Sequence, residues 1–395
     1  MADTSGRWFP MDELLAKLNV ATPGEILPTL LDGLRQWIPT VVGLRLLFAD
    51  VEERALVVWG EAAHLAERRT ERVAIDGSVH GRAYVSGTSM PTEVDGERAL
   101  VVPVTARAER IGVLEVRFSA ESDAAAESLL RTVGLVLGYV SVAGDRWSDV
   151  FHVARRRRNM DIAAEIQWNS LPISAFSSSR LLLAGALEPA YEIAGDMFDY
   201  SCGRSELVAG IFDAMGHGLT AARLSDLAVE CFRNARRCGH DLLEQARRIH
   251  DTLRPGFARE GFVTGQLLSI DLDDPSRSRL VNAGHPAPFL QRGQEPPRPL
   301  EVEIDLPFGT PFENQLRVQP LVLGPEDRLV LLSDGTTEAR PDGGPPFGED
   351  RLVDQLVETR NLSPREAARR IIHAVRTHRA ADLLDDVTLL VIDVL

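Results

Sequence analysis

The chain has 395 residues, 44% of them hydrophobic and 26% charged, and carries a formal net charge of −15. That length accommodates two domains with a core each. The acidic balance excludes a general nucleic-acid binder, because a polyanion is repelled unless basic surface is concentrated. The one basic run, Arg155 to Arg158, is short and reads as a solvated helix face. Cys202, Cys231 and Cys238 form an odd set without metal-like spacing, which predicts a reduced, cytoplasmic protein. The first ten residues lack a signal pattern, and no apolar run reaches bilayer length, so no membrane role is expected.

The first clear element starts at Thr22. In "TPGEILPTLLDGLRQWI", Thr22 is the N-cap, Pro23 sits in the first turn and Glu25 lies three residues after the cap. Ile26, Leu27, Leu30, Leu31, Leu34 and Ile38 then recur at helical spacing. Strands are predicted at 44–48 and 55–59, followed by a hairpin over "ALVVPVTARAERIGVLEVRFS" that turns at 108–110. A second apolar helix is expected near 129–140. Helix, antiparallel sheet, "IDGSVHGRAYVSGTSM" and then "VPV" and "RIGVLEV" together resemble a GAF domain. The resemblance covers about residues 20–142 and assigns 1–142 to a sensor-like domain, with a small ligand or a dimer surface as its implied use. No cysteine precedes Cys202, which excludes a thioether-linked bilin; His64, His80 and His152 are the candidate haem ligands, each isolated in the sequence.

Residues 143–172 are predicted to form a helical linker ending at Pro172. Trp147, Phe151 and Ala154 recur at helical spacing, as do Ile162 and Ile166, although Arg155–Arg158 interrupt the seam. A linker helix here favours a parallel homodimer over a helix packed on its own domain.

Beyond Pro172 the apolar segments read mostly as strands, with two amphipathic helices, one from about Thr220 and one after Pro364. Aspartates recur beside these apolar segments. Asp196 lies in "EIAGDMFDY", Asp213 ends the strand before "AMGHG", Asp334 follows "LVLLS", and Asp385 and Asp386 precede the terminal "VTLLVIDVL". A sheet can gather such carboxylates at one edge, where they repel unless a cation neutralises them. Oxygen donors without clustered histidine or cysteine point to Mn²⁺ or Mg²⁺ rather than zinc. Asp271, Asp273 and Asp274 are explained by a polar hairpin turn. Asp199 either supports the cluster from outside or stabilises a turn.

"EIAGDMFDY", "GIFDAMGHGLTAA", "VNAGHPAPFL", "LPFGT", "LVLLSDGTTEAR", "FGEDRL" and "DDVTLLVI" occur in the order seen in SpoIIE-type phosphatases of the PPM family. By this resemblance, covering about 173–395, the chain is identified as a metal-dependent serine/threonine phosphatase. The implied fold is α+β, an αββα sandwich following the GAF-like domain. Asp196, Asp213, Asp334 and Asp385 correspond to the catalytic, metal-binding aspartates for two ions, with Asp213 bridging and the Ala214 carbonyl a further ligand; Asp386 ranks below them. The implied substrate is a phosphorylated STAS-domain anti-anti-sigma factor. Ala194 departs from the family pattern, which has a second glycine there. His217 is either a proton donor or a residue that orders its loop, and His285 looks structural.

Other readings stay open. "AGDMF" is superficially similar to the diguanylate-cyclase motif, but Met197 stands where that motif has an acidic residue. A phosphatase-like module that binds without turnover is the other alternative, and metal-dependent phosphate release separates it from an enzyme. Neither a Cys-x5-Arg loop nor a Ser-His-Asp arrangement is evident.

Overall fold

The computed structural model describes residues 10–59, 71–156, 158–188, 195–256, 261–379 and 386–395. The chain divides into two compact units, Met1–Arg158 and Asn159–Leu395.

In the first unit, α1 (Met11–Val20) precedes the turn at Thr22, where Glu25 Oε2 accepts from the Thr22 backbone amide at 2.8 Å and its hydroxyl at 2.7 Å. This reciprocal capping starts α2 (Ile26–Arg35). Six strands form one antiparallel sheet: β1 (Val41–Ala49), β2 (Ala55–Trp59), β3 (Arg72–Ala74), β4 (Met90–Val94), β5 (Glu97–Ala106) and β6 (Glu109–Phe118), in the order β3-β2-β1-β6-β5-β4. The helix α3 (Val79–Ser86) and its Ala83 and Tyr84 cover one face with Leu47 and Val113. On the other face Leu30, Leu34, Val102 and Leu114 pack with Leu130, Val133 and Leu137 of α4 (Ala124–Gly144). Two glycines let α4 lie close to the sheet: a Cβ at Gly134 would fall 2.3 Å from the Pro103 carbonyl oxygen, and one at Gly138 2.1 Å from that of Thr105.

Contrary to the sequence expectation, α4 is long and apolar enough by itself to cross a bilayer; its buried stripe belongs to the core just described. Of the haem candidates, His80 Nε2 lies 2.7 Å from Glu115 Oε2 and His152 Nε2 lies 3.3 Å from the Asp145 carbonyl. His64 lies outside the described residues.

The expected helix over the linker is not continuous. After α4 the chain turns, forms the short α5 (Val150–Ala154), leaves helical structure, and resumes as α6 (Ile162–Ser170). Phe151 is the reason: it is buried against Phe48 and Trp59, with ring centroids 5.8 and 5.7 Å away, and so faces the core instead of a partner helix. Arg155 then ties the chain to the end of β1, its Nε donating to the Ala49 carbonyl at 3.1 Å and its carbonyl accepting from the Val51 amide at 3.0 Å. Asp161 starts α6 afresh by accepting from the Ala164 amide.

The second unit is the expected αββα sandwich. One sheet contains β9 (Asp196–Cys202), β10 (Glu206–Ala214), β11 (Val263–Asp271), β12 (Ser278–Ala283) and β15 (Gln319–Leu321). The other runs β14 (Arg298–Pro299), β13 (Phe289–Arg292), β16 (Asp327–Leu332), β17 (Val387–Val394), β8 (Leu181–Glu188) and β7 (Ala175–Ser177). Alternation along each strand builds the middle layer: Phe198, Leu207, Ala209, Ile211 and Leu268 meet Leu183, Leu329, Leu331, Leu390 and Ile392. Val208, Phe212 and Leu267 point outward to α7 (Leu219–Arg237) and α8 (Leu242–Leu253). Outside the second sheet lie the helices Gly348–Glu358 and Pro364–Arg379. Two of these four helices were not expected from the sequence. The α8 signal was readable: Asp241 caps it, and Leu242, Ala246, Ile249 and Leu253 repeat on one face.

Candidate functional site

The site lies where β10 ends and β9 begins. The antiparallel register sets Asp213 directly opposite Asp196, so both side chains leave the same face of the sheet, the one shared by Ile211 and Phe198 and turned toward the second sheet. Like charges directly opposite are unfavourable, and here one of them is buried, Asp196 being 2% exposed.

The second sheet contributes from the ends of β16 and β17. The Ser333 amide donates to the Thr388 carbonyl at 3.0 Å, and the Thr388 amide donates back to Ser333 Oγ at 3.0 Å. Asp386 is thereby brought beneath β9, where its Oδ2 accepts from the Asp196 amide at 3.0 Å and from Gln167 Nε2 at 3.2 Å. Burial, then the charges of Asp213 and Asp386, push the Asp196 carboxyl well above its usual range, against the nearby hydroxyls of Ser333 and Thr388. Its Oδ2 is buried without a hydrogen-bond partner among the described residues.

The turn after Asp213 explains the glycines of "AMGHG". Gly216 and Gly218 have φ of +89° and +75°, which side chains rarely adopt. The Ala214 amide donates to the Gly195 carbonyl at 3.0 Å, while a Cβ on Gly195 would lie 3.2 Å from the Ala214 carbonyl oxygen and 3.4 Å from that of Gly216. A glycine at 195 therefore leaves room beside that carbonyl. His217 is exposed on this turn.

Asp334 directly follows Ser333 and is half-buried; its carbonyl accepts from the Glu338 amide at 2.8 Å as the helix Gly335–Glu338 begins. Asp385 and Ala194 lie outside the described residues. Asp386, ranked low from the sequence, is among the described residues and meets Asp196. Among the described residues no three His, Cys, Asp or Glu side chains already stand in the arrangement of a metal site. What is present fits a divalent cation in chemistry: oxygen donors only, a buried carboxylate oxygen lacking a partner, two acidic neighbours raising its proton affinity, and open space beside a backbone carbonyl.

Asp199 has neither of the roles expected for it. Three residues beyond Asp196 it emerges on the opposite face, where Arg233 Nη2 donates to Oδ1 at 2.7 Å and Arg236 Nη2 to Oδ2 at 2.8 Å. It fastens β9 to α7. The turn aspartates behave as the sequence implies, with Asp271 Oδ1 accepting from the amides of Asp273 and Asp274.

His285 is fully buried, with its Nδ1 2.9 Å from the hydroxyl of Thr264, the residue directly opposite Asp213 on β11. Asn282 fixes the loop, accepting from the His285 amide and donating to its carbonyl, both at 2.9 Å. Burial pushes the imidazole down to about 3. An unfolded histidine takes up a proton below about 6.5, so His285 costs nothing above that pH and lowers stability progressively as pH falls toward 3. Substitution His285→Gln should therefore flatten the acid limb of stability by up to ~1.4 kcal/mol per pH unit. Urea unfolding at pH 7, 6 and 5 checks this; parallel pH dependences for variant and wild type would contradict it.

The sequence of residues 203–395 matches the family described as Stage II sporulation protein E (SpoIIE). Among solved structures, the chain is similar to the PP2C phosphatase domain with a regulatory fragment of SpoIIE from Bacillus subtilis, at 23% identity and TM-score 0.48, covering 54% of this chain and 64% of that one. The RsbU and RsbW domains of a Mycobacterium tuberculosis protein match at 22% identity and TM-score 0.47, covering 56% and 62%. The SiaA PP2C domain of Pseudomonas aeruginosa matches at 19% identity and TM-score 0.48, covering 58% and 93%. The chain thus spans less than two thirds of the first two chains. No curated protein matches it. The family match begins after Asp196, although β9 and β10 belong to one sheet. The chain carries, over residues 203–395, a SpoIIE-type domain of the PPM phosphatase family.

Proposed function

We propose that this chain is a metal-dependent protein phosphatase acting on phosphoserine or phosphothreonine, with a phosphorylated STAS-domain anti-anti-sigma factor as its substrate. Membership of the SpoIIE family supports a phosphatase. The observation that carries the metal dependence is the Asp196–Asp213 pair, two carboxylates set face to face with one of them buried. Asp196, Asp213, Asp334 and Asp385, with the Ala214 carbonyl, would hold two Mn²⁺ or Mg²⁺ ions. Such ions supply charge neutralisation for a phosphoryl group and activation of a water. The chain's own part is to fix the carboxylates: the strand register sets Asp213 against Asp196, and the Ser333–Thr388 bonds hold the second sheet's contribution in place. A phosphate monoester close to two negative charges would be repelled by these aspartates without the ions.

We read the N-terminal unit as a GAF-like sensor, supported by its single antiparallel sheet covered by helices on both faces. With it go a homodimer, a cytoplasmic setting and sigma-factor signalling. The test is phosphate release from phosphorylated STAS-domain proteins of the same genome, with Mn²⁺ and with excess EDTA. Release that needs Mn²⁺ is expected; equal release in EDTA rejects the metal, and no release from any phosphoprotein favours a binding module.

A further inference from the structure

We propose that Gln167 is a positioning residue of the carboxylate site, an uncharged donor that holds Asp386 and the first residue of β9 in fixed relation. This inference rests on the reading of that site as a divalent-cation centre. Gln167 lies on α6, ahead of the family-matched segment, and its side chain is fully buried. Its amide nitrogen has two hydrogens and uses both. One goes to the Asp196 carbonyl at 2.7 Å, the other to Asp386 Oδ2 at 3.2 Å. Asp386 Oδ2 also accepts from the Asp196 amide at 3.0 Å. The three groups close a ring that joins one helix, the start of β9 and the start of β17.

An uncharged donor suits the charges at this position. Asp386 and Asp196 are both buried, and the charge of Asp386 disfavours that of Asp196. A lysine or arginine at 167 would satisfy Asp386 by an ion pair and so compete with a cation for the same negative charge. A primary amide offers two donors and no net charge, which steadies the carboxylate without adding a positive charge beside the site. Groups of this kind around metal ligands tune affinity through orientation.

α6 is itself held firmly enough to serve. Asp161 caps its start, and Ala163 and Ile166 pack against Ala222 of α7. At its end the Ser170 carbonyl accepts from Arg233 Nη2 at 2.6 Å, and the Ser170 hydroxyl bonds Asp226. Arg233 is the residue that also grips Asp199 on β9. The end of the helix that carries Gln167 is therefore tied to β9 through Arg233.

Two variants of the full chain separate positioning from packing. Gln167→Met keeps the volume and loses both donors; Gln167→Glu keeps the shape and turns a carboxylate toward Asp386. In Gln167→Met, calorimetric Mn²⁺ affinity should fall about tenfold or more, and half-saturating Mn²⁺ for phosphate release should rise in step. KM for the phosphoprotein should stay within about twofold, since the amide orients ligands and does not meet substrate. A metal-free readout accompanies these: hydrogen exchange at the Asp196 amide should quicken in both variants. Unchanged exchange, or Gln167→Met behaving as wild type in Mn²⁺ affinity, overturns the proposal. Faster exchange together with a wild-type chain that takes up no Mn²⁺ leaves the positioning role standing and rejects the cation reading instead.

Discussion

Replacing Asp213 by asparagine is expected to abolish Mn²⁺-dependent phosphate release and, in the same molecule, to raise the thermal midpoint of the metal-free protein. The two effects have one cause. Asp213 faces Asp196 across the β9–β10 pair, and its charge is one of the influences that push the Asp196 proton affinity up. Without a cation that repulsion only costs stability, of order ~0.2–1 kcal/mol for like charges directly opposite. Its removal should lift the midpoint by up to ~4 °C for a domain of this size. In the proposed cation-bound state the same charge would be the attraction that holds the ion. Altering groups that merely support metal ligands costs about 10–100-fold, so removing the charge of the proposed ligand Asp213 should lower turnover by at least about a hundredfold. Phosphate release at saturating Mn²⁺ and calorimetry in EDTA measure the two halves. Retained turnover would remove Asp213 from the metal site, and a lower metal-free midpoint would show that the carboxylate pair is not strained.

Substitution Asp199→Ala is expected to be among the most destabilising single changes in the C-terminal unit. Asp199 is 2% exposed and receives Arg233 and Arg236, both largely buried. Removing the carboxylate leaves two guanidinium groups facing each other with their common partner gone, and breaking a buried pair typically costs ~3–5 kcal/mol. A loss near ~10 °C follows at a few degrees per kcal/mol. The exposed Arg180–Asp273 pair is the control: Asp273→Ala should change stability by no more than ~0.5 kcal/mol, since solvent screens such pairs. Urea unfolding of both variants decides it. Equal effects at the two positions would mean that the Asp199 cluster contributes no more than a surface ion pair.

The sequence by itself determined the features that are local or periodic. Thr22 and Glu25 form the reciprocal cap their spacing implies, because that contact needs one turn of chain. Gly216 and Gly218 take positive φ in the turn after Asp213, because only glycine enters that region at no steric cost. The role of Asp199 was not read correctly, although strand alternation carried a signal for it: an odd offset from Asp196 puts it on the other face, where Arg233 and Arg236 of α7 meet it. Tertiary structure alone decided which acidic residues meet. Asp386 reaches Asp196 across 190 residues, and Gln167 reaches Asp386 across 219; no spacing rule spans such separations, because the approach is set by how two sheets and a helix pack. The broken linker has the same origin. Its apolar residues have helical spacing, but Phe151 packs against Phe48 and Trp59, residues distant in sequence. Periodicity specifies that a face is apolar, and only the folded chain specifies what that face covers.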